Sequence, residues 1–124
     1  MRTMTTLTTP PYRLPRNLER GQCFANAIYF VQINRGWDVV HGIPLGRGPI
    51  EGRRYAHGWC EITHGGLRWV CDPYLDVIMP AAVFYALDAI EYTVTYTRET
   101  ALALVEETEH GGPWDEKINQ TEGA

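Results

Sequence analysis

The stretch Tyr55-Ala56-His57-Gly58-Trp59-Cys60-Glu61-Ile62-Thr63-His64-Gly65-Gly66-Leu67-Arg68-Trp69-Val70-Cys71-Asp72-Pro73 decides the fold. Two aromatic and β-branched runs, 55–62 and 67–71, flank Thr63, His64, Gly65 and Gly66, a turn composition that predicts a β-hairpin. Asp72-Pro73 stops the second run, because proline cannot donate to a ladder and pushes the residue before it out of helical space. If Ile62 and Leu67 flank a four-residue turn, His57 stands opposite Asp72, Trp59 opposite Val70 and Glu61 opposite Arg68. The Glu61–Arg68 pair carries opposite charges and favours that register. All three pairs then share one face, and Cys60 and Cys71 lie on the other, where small thiols pack as apolar side chains.

Working outward, Cys23, Phe24, Ala27, Ile28 and Val31, with Phe30 nearby, recur at helical spacing, and Gly36 sits where a C-cap belongs. This predicts a helix over 22–35. A β-branched run over 38–43 predicts a strand, and residues 44–54, with three glycines and two prolines, a loop whose stretch 44–49 reads as a mobile flap bordering the site. Downstream, 80–87 reads as a short helix with Pro80 near its first turn, 90–97 as a strand, and 98–107 as a helix with Leu102 and Val105 inward. The expected class is α+β, with an N-terminal helix packed on an antiparallel sheet. Residues 1–15 form an arm, 16–110 the domain, and 111–124 a polar tail expected to fray apart from Trp114.

The hairpin carries a chemical consequence. An imidazole beside a carboxylate is held in one tautomer with its charged form stabilised, which suits a base next to a nucleophile. Cys23 supplies the nucleophile: it follows Gly21-Gln22 at a helix start, where free N–H groups and the positive dipole end favour a thiolate and offer a donor to an oxyanion. Gly21 lets the chain enter the helix tightly. Gln22, Asn26 and Trp59 are the candidate substrate-binding or oxyanion residues, although helix capping suits Gln22 and Asn26 equally and packing suits Trp59. Taken singly, Cys23 would be a buried structural thiol, His57 an ordinary strand histidine and Asp72 a turn former; the three together are the signal.

In order and spacing, Gly21-Gln22-Cys23, His57-Gly58-Trp59-Cys60-Glu61 and Trp69-Val70-Cys71-Asp72-Pro73 resemble the core of the transglutaminase-like cysteine peptidase superfamily, which is similar in logic to papain-like enzymes. The likeness spans roughly residues 20–75 and implies a Cys23 nucleophile, a His57 base and an orienting Asp72. Phe24 stands where true transglutaminases have Trp, and Tyr74 where Thr is common. Calcium dependence and crosslinking belong to accessory domains and do not carry over. The implied activity is acyl transfer to water or an amine from an amide substrate, as in peptidases, deamidases and amidases. Alternatives are a catalytically silent binding or inhibitory module, and a leader peptidase of peptide maturation that needs an accessory protein docked on the loop 47–54 or the tail.

Composition narrows the classes. A length of 124 residues suits one domain, and 44% apolar residues suffice for a modest core. A formal charge of −4 offers no broad positive field for a phosphate backbone, so nucleic acid is not an expected partner. No apolar run approaches the roughly 20 residues a bilayer span needs, and the start lacks the apolar stretch of a secretory signal, so a cytoplasmic protein without a membrane partner is expected. Three cysteines suit free thiols. No metal or cofactor is expected, since no Cys-x2-Cys pair occurs and Cys60 points away from His57. The loop 44–49 lacks the Lys-Ser/Thr and following helix of a phosphate loop. His41 reads as a strand-end histidine, and His64 and His110 as surface residues. The expected partner is a peptide or protein substrate.

Overall fold

A computed structural model describes residues 8–121, so positions 1–7 of the arm and 122–124 of the tail lie outside the described residues. The chain runs α1 (Cys23–Ile33), β1 (Asp38–Gly42), a 3-10 turn (Gly48–Ile50), β2 (His57–His64), β3 (Leu67–Asp72), β4 (Val77–Pro80), α2 (Ala81–Leu87), β5 (Thr93–Tyr96), α3 (Arg98–Thr108) and α4 (Glu116–Asn119). The strands form one antiparallel sheet in the order β4-β3-β2-β1-β5. The α+β class and the N-terminal helix on an antiparallel sheet are as expected. Among the described residues no helix is long and apolar enough to cross a membrane.

The hairpin differs from the expected register. Gly65 (φ 62°) and Gly66 (φ 76°) both take the left-handed conformation, so the turn has two residues and closes on His64 paired with Leu67. Two successive positive φ angles are what a tight hairpin turn demands, and glycine meets that demand without steric cost. Glu61 therefore faces Val70, and Thr63 faces Arg68. The shift is even, so no side chain changes face. Cys60 lies directly opposite Cys71, and both thiols are free.

The two faces of the sheet bury different helices. On one, Val39, Cys60 and Cys71 pack under Ala27, Ile28, Phe30 and Val31 of α1 and Ala101 of α3. On the other, Val40, Trp59 and Val70 pack under Phe84 of α2. Buried Glu61 joins this second layer as an acceptor for Trp59 Nε1 (2.7 Å), Arg68 Nε (3.0 Å) and the Tyr85 hydroxyl. Three donors satisfy a carboxylate that burial would otherwise penalise.

Two segments depart from the sequence reading. Strand β4 was not anticipated: Asp76 (φ 51°) turns the chain back after Pro73, and its N–H donates to Pro73 O at 3.2 Å. Val77–Pro80 is then short enough to be hidden in the helix pattern that follows it. The tail is not frayed as far as residue 121. Asp115 caps α4 by accepting from Ile118 N, and Ile118 is fully buried against Ile43 and Ala56. The division at residue 111 therefore cuts through a packed layer. The loop 44–54 is fastened to the α2–β5 connection: Leu45 N donates to Asp88 O (2.9 Å), Arg47 pairs with Asp88 (3.2 Å) and Arg54 with Glu91 (3.0 Å). Residues 8–15 of the arm pack without an element of their own, Tyr12 lying against Phe30 and Trp37.

Candidate functional site

His57 opens β2 and Asp72 closes the antiparallel β3, which puts both at the same end of the sheet. Their side chains meet at 2.9 Å between Nε2 and Oδ2. The contact is diagonal, running past the last ladder pair at Cys60–Cys71, rather than between residues directly opposite. Such diagonals lie within reach of long side chains, which is why the pair survives the change of register. Arg68 reaches Glu61 in the same diagonal way and also binds Asp38 at 2.8 Å.

The start of α1 brings Cys23 to this end of the sheet. Gly21 (φ 78°) takes a left-handed turn before the helix, a conformation that costs an L-residue about 1–2 kcal/mol. Gly58 then allows the close approach: a Cβ there would lie 3.0 Å from the Phe24 ring and 3.4 Å from Phe24 Cα, next to Cys23. The helix N-terminus thus sits directly on the strand that carries His57. Cys23, His57 and Asp72 line one groove of about 380 Å³ together with Arg20, Tyr55 and Leu75.

Burial works against charge on the His57 ring, while the hydrogen bond to Asp72, a side-chain interaction with Cys23 and the charges of both work in its favour; the net effect raises its pKa to about 10. With Nε2 engaged by Asp72, Nδ1 is the ring nitrogen left for the sulfur. The other two thiols are placed differently. Burial pushes Cys60 well up, and burial with the nearby Asp72 pushes Cys71 to about 12. Cys23 alone of the three is partly exposed.

The remaining candidates take supporting positions. Asn26 is 1% exposed and spends its amide on the backbone of Glu19, accepting from Glu19 N (2.9 Å) and donating to Glu19 O (2.7 Å). It holds the loop that leads into Cys23 instead of facing a substrate. Trp59 is fully buried, its ring stacked on His57 at 5.8 Å and 28°, so it supports the imidazole from below. Gln22 occupies the N-cap position without a side-chain capping bond, is exposed, and accepts from Asn26 N at 2.8 Å. Tyr55 was missed: it lines the groove, and its ring lies 5.8 Å from His57. Strand alternation, two residues before His57, was the available signal.

His41 lies at the end of β1, as expected of a strand-end histidine, and is fully buried. Its ring is enclosed by Phe24, Tyr96 and Trp114, and neither nitrogen has a hydrogen-bond partner. Among the described residues no cluster of three His, Cys, Asp or Glu forms a metal-ligand set. No family model, no curated protein and no solved structure matches the chain.

Proposed function

We propose that the chain is a cysteine-nucleophile hydrolase or acyltransferase of the transglutaminase-like kind, acting on an amide of a peptide or protein. The observation that carries this reading is the row Cys23, His57, Asp72 in one groove, with the imidazole fixed at 2.9 Å from the carboxylate. The thiol proton of Cys23 rests on His57, whose pKa is raised, and the sulfur attacks the amide carbonyl carbon as the thiolate. The carbonyl π electrons move onto oxygen. When this intermediate collapses, the C–N bond breaks and His57 returns the proton to the departing amine, leaving a thioester on Cys23. Water or a second amine, deprotonated by His57, then attacks the thioester and restores the thiol. Asp72 holds the ring and stabilises the imidazolium in both halves of the cycle.

Helix geometry supplies a donor for the oxyanion. The α1 ladder begins with Asn26 N donating to Gln22 O, so the N–H groups of Cys23, Phe24 and Ala25 have no acceptor within the helix. The Cys23 N–H is the one bound to the reacting residue itself, and the positive end of the helix adds to its effect.

The test is to incubate the protein with a mixed peptide library and search by mass spectrometry for an acyl group on Cys23. The expected result is a mass adduct confined to the peptide containing Cys23 and absent from Cys23→Ala. Turnover that persists in Cys23→Ala contradicts the proposal.

A further inference from the structure

The groove does not end at the His57–Asp72 pair. Beyond it lies a second hollow of about 380 Å³, which shares Tyr55, His57, Asp72 and Leu75 with the first and does not include Cys23. Its walls are Leu45, Val77, Met79, Phe84 and Leu87, contributed by the loop 44–54, β4 and α2. Arg47 and Asp88 stand at this hollow and pair with each other at 3.2 Å, so their opposite charges offset one another. Leu75 is 66% exposed and Leu87 55% exposed, which leaves apolar surface in water immediately beside the polar pair.

Resting on the proposed acyl chemistry, we infer that this hollow is a specificity subsite for a bulky uncharged side chain of the substrate, of leucine, methionine or phenylalanine type, flanking the reacting amide. Three features argue for this occupant. The hollow is continuous with the reactive groove through His57, so a peptide whose carbonyl meets Cys23 has neighbouring atoms that reach it. Its walls are mainly apolar, and burying apolar area there is favourable. The two ion pairs at the hollow, Arg47–Asp88 and His57–Asp72, are each internally neutralised and leave no net charge to select an anionic or cationic side chain.

The test uses the full chain and three chloroacetamides that differ only in the N-substituent: methyl, 3-methylbutyl and carboxymethyl. Alkylation of Cys23 is expected to be about ten-fold faster with the 3-methylbutyl reagent than with the other two, the size of discrimination an apolar pocket supplies. Leu87→Glu is expected to collapse that ratio, and Leu87→Ala to reduce it should the charged variant fold poorly. Equal rates for all three reagents, with labelling still dependent on His57, overturn the subsite and leave the acyl chemistry standing. Labelling independent of His57 overturns the chemistry; the hollow is then read separately by chemical-shift changes at Leu87 and Val77 when N-acetyl-leucinamide is added to Cys23→Ala, and their absence overturns it too. Dimerisation abolished by Leu87→Glu, with no reagent preference, assigns the hollow to a second copy and overturns the inference.

Discussion

His57 is pulled in two directions, and the magnitudes decide which prevails. Partial burial favours the neutral ring, yet the carboxylate at 2.9 Å and the neighbouring thiol outweigh it and raise the pKa to about 10. A native-state pKa above the unfolded value of about 6.5 means that the folded protein holds the extra proton. The contribution to stability is fully present below about pH 6.5 and is lost as pH rises toward 10. Asp72→Asn removes the charge but keeps the shape of the partner. It is expected to lower the His57 pKa, measured by NMR titration of the ring, and to cost on the order of 1–3 kcal/mol of stability at neutral pH. An unchanged titration would mean that Asp72 does not set the protonation of the ring. The His57–Asp72 contact was legible in the sequence because residue type and strand alternation place an imidazole and a carboxylate on one face. The supporting roles of Asn26 and Trp59 were not. Both depend on what the side chain meets across the fold, the Glu19 backbone in one case and the underside of His57 in the other.

At the scale of elements, the site is a junction between the N-terminus of α1 and the beginning of β2, and Gly58 governs their separation. A methyl group at this position would press on the Phe24 ring at 3.0 Å and on the His41 ring at 3.3 Å. Gly58→Ala is expected to push the helix start away from the strand and to slow Cys23 alkylation by about ten-fold or more, since near-ångström displacement of reacting groups has that scale of effect. A fully folded Gly58→Ala with unaltered labelling would show that helix docking does not depend on this glycine. The hairpin was legible as an element, but its register was not. A four-residue turn and a two-residue turn are both consistent with Thr63-His64-Gly65-Gly66, and the paired positive φ angles of the glycines settle the choice only in the folded chain. The His57–Asp72 contact survived because an even shift preserves the face. Strand β4 stayed hidden because Val77–Pro80 has four residues and runs directly into α2, so neither period is long enough to be read.

At the scale of the whole molecule, the C-terminal segment closes the fold over a buried histidine. A Cβ at Gly112 would meet His41 Cε1 at 2.6 Å, and Trp114 packs on the same ring. Polar composition hid this role, because Trp114 and Ile118 are isolated apolar residues whose partners lie far away in sequence. Burial, assisted by the charge of His57 and opposed by Asp115, lowers the His41 pKa to about 4. The unfolded chain therefore binds the extra proton between about pH 6.5 and 4, and stability falls as the pH drops through that window. His41→Phe is expected to flatten this acid limb in urea denaturation series; an acid limb of undiminished slope would place the responsible titration elsewhere. All of these features serve the geometry at Cys23, and the most direct measurement is the rate of iodoacetamide labelling at each thiol, resolved by peptide mapping. Cys23 is expected to react far faster than buried Cys60 and Cys71 at pH 7, and to slow by an order of magnitude or more in His57→Ala. Equal labelling of Cys23 in the two proteins, or faster labelling of Cys60 or Cys71, would contradict the proposed nucleophile.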